Sequence, residues 1–228
     1  MVMIDVLHCM DLGCTQEILG NLFYEALGTV CKGRNKKEQC NELWQRIRDF
    51  YTEFDPTTKL QNLTVEMVKQ PGKGPKLRAK GAETRHLAAF GVLLSKDLHN
   101  FCRDDRTLTM HRVASALFDL YCLFAQQPVD KDAIAEQCRR LCLLYVTLSE
   151  EAEAKGVKAW LIKPKFHMMM ELCEFQVQTF GSPEDFWAYA DESFVGFVAE
   201  FSSRRGGVAN ATSSSLGVLS RYRCMSTS

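Results

Sequence analysis

The chain has 228 residues, of which 46% are hydrophobic and 25% are charged, and these values exclude a wholly disordered chain. Its 28 basic and 28 acidic residues balance, so no overall charge draws the chain to nucleic acid. No apolar run approaches the roughly 18 residues that a membrane helix needs, and no secretory signal is visible, so we expect an intracellular protein without a membrane partner.

The first residues predict a short buried strand. The apolar run 2–4 ends at Asp5, and a run of this length is typical of a strand. Residues 11–13 then predict a turn, and Thr15 begins a predicted helix that extends to about Val30. A lone strand leaves its backbone groups unpaired, so either its partners lie in a longer parent protein or the segment is not a strand.

Helical periodicity dominates the remainder of the chain. Apolar residues recur at helical spacing from Lys37 to Phe54, and residues 55–81 are the least regular part. Three long helical patterns follow, at residues 82–103, 107–126 and 130–155. Because breaks of only three to four residues join these patterns, we expect an antiparallel helical unit.

Several residues predict where these helices begin and end. Thr107 and Asp130 are the predicted N-caps of the second and third patterns, and Gly156 is the predicted C-terminal stop. Pro164 then opens a helix predicted over residues 166–180. The chain is therefore expected to be mainly α, with very little strand.

The ten cysteines suggest reduced thiols rather than a metal or disulfide framework. None forms a C-x-x-C pair, and most fall on apolar faces of predicted helices. A zinc site from His8, Cys9 and Cys14 is an alternative, although this spacing is unusual for ordinary zinc sites.

Positive charge is concentrated locally despite the neutral total. Residues 69–85 carry six cations against one acid, Glu83, and no acid follows residue 202. A solvated loop is the alternative interpretation, but such clusters also attract phosphate. We therefore predict weak, sequence-tolerant DNA binding by Lys73, Lys76, Arg78, Lys80, Arg85, Arg204 and Arg205.

Two acidic residues near opposite ends are candidate metal ligands. Asp5 ends the predicted strand, and Glu192 opens a predicted helix far along the chain. Carboxylates in these positions could share a divalent metal, which suits phosphodiester chemistry because a metal neutralises the attacking and leaving oxygens. His8 and His167 are candidates for positions close to such a site.

Short motifs around these residues resemble one protein family. The segment from Asp5 to Gly13 is similar to D-x-L/M-H-x-x-x-L-G, residues 163–167 (Lys-Pro-Lys-Phe-His) to P-K-x-H, and the segment around Glu192 to F/Y-x-x-E-R/S-F. Residues 80–87 resemble a K-A-x-E/D-x-R/H stretch. Together they resemble the back half of a cut-and-paste DNA transposase of the CACTA-like group, which has an RNase H-like core.

The resemblance implies a helical insertion bundle attached to a truncated RNase H-like α/β core. Residues 1–30 would be part of that core, residues 31–160 the insertion, and residues 161–228 the C-terminal catalytic-helix region. The parent reaction would be DNA strand cleavage and transfer with Mg²⁺ or Mn²⁺, for which Asp5 and Glu192 would be catalytic metal ligands. A third Asp is absent, so the fragment would be a weak catalyst or none.

The rival interpretation is a non-enzymatic helical interaction protein, either domesticated from a transposon or unrelated to one. Balanced charge and helical dominance favour it. A eukaryotic transposase would be nuclear, whereas the residues alone predict only an intracellular protein.

Overall fold

The computed structural model describes residues 3–186 and residue 188, and these residues form helices and no strand. The mainly α class is therefore confirmed. The principal helices are α1 (Gln16–Gly28), α2 (Lys36–Phe54), α3 (Val65–Val68), α4 (Gly81–Cys102), α5 (Asp105–Phe124), α6 (Lys131–Ala154), α7 (Pro164–Glu171) and α8 (Val177–Phe180). Two π-helices, Leu7–Thr15 and Leu172–Gln176, and a 3₁₀-helix, Pro183–Phe186, complete the order.

The predicted N-terminal strand is wrong, because the chain enters a helix at Val6. The Asp5 carboxylate accepts hydrogen bonds from the backbone N–H groups of Leu7, at 3.3 Å, and His8, at 3.0 Å. An aspartate in this position caps a helix and stabilises its first turn. A short apolar run is compatible with a strand or with a buried helix, and here the cap decides between them. The described residues therefore contain no sheet of an RNase H-like core.

The predicted turn at residues 11–13 is also wrong. These residues continue the first π-helix, which runs directly into α1. A Cβ added at Gly13 would lie 2.5 Å from Cδ of Lys165. The glycine therefore serves the close approach of α7 and does not reverse the chain.

The predicted three-helix unit is confirmed as α4, α5 and α6. The Ser95 hydroxyl lies 3.1 Å from Nδ1 of His111, and Nδ1 of His99 lies 3.4 Å from the Thr107 hydroxyl. These pairs run in opposite directions along α4 and α5, as they must in antiparallel helices. Consecutive helices of the unit make the most extensive contacts in the fold.

The ends of α5 and α6 lie where the sequence predicted them, with one exception. The Asp130 side chain caps α6, and Gly156 has a φ of +64° just beyond the end of α6, as predicted. The N-cap of α5 is Asp104 and not Thr107, because the Asp104 carboxylate accepts the N–H of Thr107 at 2.7 Å. The threonine instead occupies the third helical position.

Both helices predicted at residues 37–54 and 166–180 are present. The second starts at Pro164 and passes through α7, the second π-helix and α8 before Gly181, where φ is +90°. The Gln176 side chain of this π-helix exchanges two hydrogen bonds with the backbone of Ile4, at 2.7 and 2.8 Å. The first residues are thereby fixed to the C-terminal helices of the described chain.

Contacts divide the chain into Met1–Phe186 and Trp187–Ser228, and the second unit lies almost wholly outside the described residues. The predicted domain boundaries after residues 30 and 160 fall inside the first unit. Within the described ranges, no helix has the length and apolar character needed to cross a membrane. All nine cysteines in those ranges are free thiols, and six of them are buried.

Candidate nucleic-acid interface

A short extended strip, residues 76–79, forms one wall of a basic surface. Three of its backbone N–H groups donate to backbone carbonyls at 2.8–2.9 Å: Lys76 to Val68, Leu77 to Gln16 and Arg78 to Met67. The Gln16 side-chain amide in turn donates to the Ala79 carbonyl at 2.7 Å. Leu77 is fully buried, whereas Arg78 is exposed and Lys76 half-buried. Side chains alternate along extended backbone, so burying the leucine directs both cations outward.

Glycine in α1 allows this strip to cross the helix closely. A Cβ added at Gly20 would collide with the backbone of Lys76 and Leu77, with a separation of 2.5 Å from the Lys76 carbonyl carbon. Backbone atoms cannot move aside as a flexible side chain can. The absence of a side chain at Gly20 therefore sets the distance between α1 and the strip that carries the cations.

The segment between α6 and α7 forms the opposite wall. Trp160 is fully buried, packs edge-on against Tyr145 and has a φ of +53°, which is rare for a bulky residue. Its backbone N–H donates to the Asn21 side chain at 2.9 Å. This anchor holds the segment while Lys158 and Lys163, on either side of it, remain exposed.

Residues of both walls line one cavity of about 450 Å³, and a second, more open cavity of about 480 Å³ adjoins it along the 76–79 strip. Five cations line the first cavity, and Lys80 and Glu83, at the start of α4, line the second. We call this surface the basic groove and define it by its cations, which are Lys73, Lys76, Arg78, Lys80, Lys158 and Lys163.

Glu17 is the acid at the floor of the first cavity. Its Oε1 lies 3.7 Å from Nζ of Lys76, and its side chain is only 10% exposed. Burial raises the pKa of Glu17, although Lys76, Lys163 and Arg78 oppose the shift. Burial also lowers the pKa of Lys76, with Glu17 opposing that shift and neighbouring cations adding to it. Desolvation thus outweighs the attraction within this pair.

The groove contains four of the predicted DNA-binding residues. The structure brings Lys73, Lys76, Arg78 and Lys80 together there. Arg85 lies elsewhere, 3.6 Å from the Glu184 carboxylate and over the Tyr121 ring. The predicted residues Arg204 and Arg205 lie outside the described residues.

Sequence reasoning missed Lys158, Lys163 and Glu17 as members of this surface. One signal was present, since no acid occurs from residue 154 to residue 170 while four lysines do, at positions 155, 158, 163 and 165. Nothing in the sequence indicates that this run faces residues 73–80.

The N-terminal motif forms a helix start rather than a strand end. Asp5 Oδ2 lies 2.5 Å from Nδ1 of His8, and the His8 side chain is 56% exposed. The predicted ligand Glu192 lies outside the described residues, so its distance from Asp5 is not part of the described structure. His167 is an exposed residue of α7 and lies 3.7 Å from the Glu171 carboxylate one turn away.

A buried polar cluster accompanies this motif and was also missed. Asp11 is fully buried in the first π-helix and accepts a hydrogen bond from the Tyr121 hydroxyl. The buried Thr15 hydroxyl lies 2.7 Å from the same phenol oxygen. Buried carboxylates require such partners, so this cluster ties the motif to α5.

The residues of the described ranges contain no group of three or more His, Cys, Asp or Glu side chains that could hold a metal ion. The zinc site considered for His8, Cys9 and Cys14 is therefore not formed. Cys9 and Cys14 are core residues, and the Cys9 thiol donates to the Lys165 carbonyl at 3.4 Å. A Mg²⁺ or Mn²⁺ site that used Asp5 would need ligands from outside the described residues.

Comparison with protein-family models, with curated proteins and with solved structures finds no match to this chain.

Proposed function

We propose that this chain binds the sugar–phosphate backbone of DNA in the basic groove, as part of a cut-and-paste transposase of the CACTA-like group. The observation that carries the proposal is the convergence of six cations from two distant segments in a chain of zero net charge. Concentrated Lys and Arg side chains bind phosphates and release counterions, which supplies most of the affinity of sequence-independent binding.

The lining of the groove favours contact with the backbone over recognition of bases. Lysine and arginine dominate the lining of both cavities, which also includes Gln16, Glu17 and Glu83, and no aromatic side chain lines either of them. Aromatic side chains are the usual stacking platforms for unpaired bases. Phosphate contacts fix position and carry no direct sequence information, so binding should tolerate changes of sequence.

The catalytic part of the proposal rests on the sequence resemblance. In the parent enzyme, Asp5 and Glu192 would be ligands of Mg²⁺ or Mn²⁺, and the metal would assist strand cleavage and transfer. One contact supports treating the matched motifs as one unit: the Lys165 ammonium of the P-K-x-H motif donates to the His8 carbonyl of the Asp5 motif at 2.6 Å. The described residues contain no cluster of three or more His, Cys, Asp or Glu side chains that could hold a metal ion, so we assign no reaction step to them.

The test is the affinity for a short DNA duplex at several salt concentrations. Replacing Lys76, Arg78 and Lys80 with alanine should reduce the slope of log affinity against log salt by about two to three units, because about one counterion is released per neutralised phosphate. The matched control replaces three exposed cations outside the groove, Lys96, Arg112 and Arg140.

Equal slopes for the groove variant and the control would reject the groove as the binding surface. A parent chain that does not bind at low salt would instead favour the non-enzymatic helical interaction protein. Circular dichroism of each variant verifies that the helical fold is intact.

A further inference from the structure

We infer that Glu17 is an internal counter-ion that limits the affinity of the basic groove, because a nucleic-acid phosphate must compete with its carboxylate for Lys76. This inference rests on the proposed function and deepens it. Glu17 is thereby an affinity-determining residue. Replacing it with an uncharged residue should strengthen binding.

The position of Glu17 sets it apart from the other acid in the groove. Glu83 caps α4, since its carboxylate accepts the backbone N–H of Lys80 at 2.9 Å. Glu17 stands in the first turn of α1, and its carboxylate lies 3.7 Å from the nearest ammonium, which is too long for a hydrogen bond. Glu83 is therefore committed to the fold, whereas Glu17 faces the space that a ligand would occupy.

Charged and titratable groups from the neighbouring elements surround Glu17. The 76–79 strip and the loop before it contribute three cations, the 157–163 segment contributes two, and α6 contributes a buried phenol. These groups are Lys73, Lys76, Arg78, Lys158, Lys163 and Tyr145. The first cavity consequently holds five cations and one carboxylate, and Glu17 is its single negative charge.

A phosphate that enters this cavity meets both attraction and repulsion. It gains the field of five cations, but the Glu17 carboxylate repels it and already attracts Lys76. At separations of a few ångströms in a partly desolvated site, one unit charge is worth a measurable fraction of the binding free energy. Removing that charge should therefore strengthen binding without adding any contact.

Protonation should have the same effect as substitution. Burial raises the pKa of Glu17, so this carboxyl group becomes neutral at a higher pH than an exposed glutamate. A bound phosphate disfavours the ionised form further, so affinity should increase as pH falls from 7.5 towards 5. None of the five histidines lines either cavity. The part of the pH dependence that belongs to Glu17 is the part that Glu17→Gln removes.

The experiment compares the full-length chain with its Glu17→Gln variant for binding a short DNA duplex at low salt. Glutamine preserves the size of the side chain and removes its charge. We expect affinity about threefold to tenfold tighter at pH 7.5 for Glu17→Gln, and a weaker dependence of its affinity on pH. The matched control is Glu136→Gln, which removes one exposed carboxylate on α6 outside the groove and should change affinity less than twofold.

The outcomes separate this inference from the proposed function. In one outcome the parent chain binds duplex and the groove variant shows the predicted lower salt slope, but Glu17→Gln behaves like Glu136→Gln. That outcome overturns the counter-ion role and leaves the groove as the binding surface. If neither the parent nor Glu17→Gln binds at low salt, the proposed function fails, and the inference fails with it. Should Glu17→Gln not fold, the parent chain alone decides, because an affinity unchanged between pH 7.5 and pH 5 overturns the role of Glu17.

Discussion

The side-chain ammonium of Lys165 donates a hydrogen bond to the backbone carbonyl of His8 at 2.6 Å, although 157 residues separate them in the chain. The same ammonium lies 3.3 Å from the Leu12 carbonyl. π-helical turns and helix ends leave carbonyl groups that need donors, and this lysine supplies one from α7. The Asp5–Gly13 and Lys163–His167 segments are thus parts of one packed element.

Gly13→Ala should test this packing. The new Cβ would lie 2.5 Å from Cδ of Lys165 and displace its ammonium from both carbonyls. We expect a loss of about 1–2 kcal/mol in the free energy of unfolding, as for other hydrogen bonds made by a charged group. In a Lys165→Ala background the cost should largely disappear, because alanine is the better helix former. Urea unfolding of the two single variants and the double variant measures this coupling, and purely additive effects would contradict the contact.

Gly20→Ala should affect both stability and nucleic-acid binding. Its Cβ would meet the backbone of Lys76 and Leu77, so the strip that carries the first wall must move. The expected cost is about 1–3 kcal/mol, typical of overpacking, together with weaker binding at low salt. Gly28→Ala is the control in the same helix, since its Cβ would meet nothing closer than 3.5 Å. Equal melting temperatures for the two variants would show that Gly20 does not set the position of the strip.

Tyr121→Phe should reveal the contribution of the buried polar cluster. The substitution removes the hydroxyl that donates to the fully buried Asp11 and contacts Thr15. We expect a loss of about 1–3 kcal/mol in the free energy of unfolding, because a buried carboxylate loses a donor. Tyr24→Phe, at a partly exposed ring under Lys36 and Lys69, should cost less than about 0.5 kcal/mol. A thermal denaturation series on both variants compares them, and similar costs would argue against the cluster.

The raised pKa of Glu17 also predicts a dependence of stability on pH. Its folded pKa lies above its unfolded value, so its contribution is fully present below the unfolded pKa of about 4.3 and is lost as pH rises through the folded pKa. The free energy of unfolding of the parent chain, relative to Glu17→Gln, should therefore fall between pH 4 and pH 7. Urea unfolding of both chains across this range isolates the effect, and a difference that rises with pH would contradict it.

The sequence predicted those parts of the fold that depend on local signals. Apolar periodicity located α4, α5 and α6, and Pro164 marked the start of the last helices. The N-terminal strand failed for a local reason, because the run before Asp5 was too short for its periodicity to distinguish strand from helix. The capping role of Asp5 was the local signal that distinguishes the two.

The site depended on contacts that no local signal contains. Four of the six groove cations were predicted, since the cations at residues 73–80 are clustered in the sequence. The other wall comes from residues 157–163, and its position depends on the buried Trp160 and its bond to Asn21. A positive φ at a tryptophan is a consequence of tertiary packing and has no signature in composition or spacing.

The central claim is that both walls of the basic groove bind nucleic acid, and the most direct test uses the wall that the sequence did not suggest. The measurement is the salt dependence of duplex affinity for Lys158→Ala/Lys163→Ala beside Lys96→Ala/Arg112→Ala, which removes two exposed cations outside the groove. We predict that the first variant reduces the slope of log affinity against log salt by about one to two units, while the control retains the slope of the parent chain. Identical slopes for the two double variants would contradict a two-walled groove.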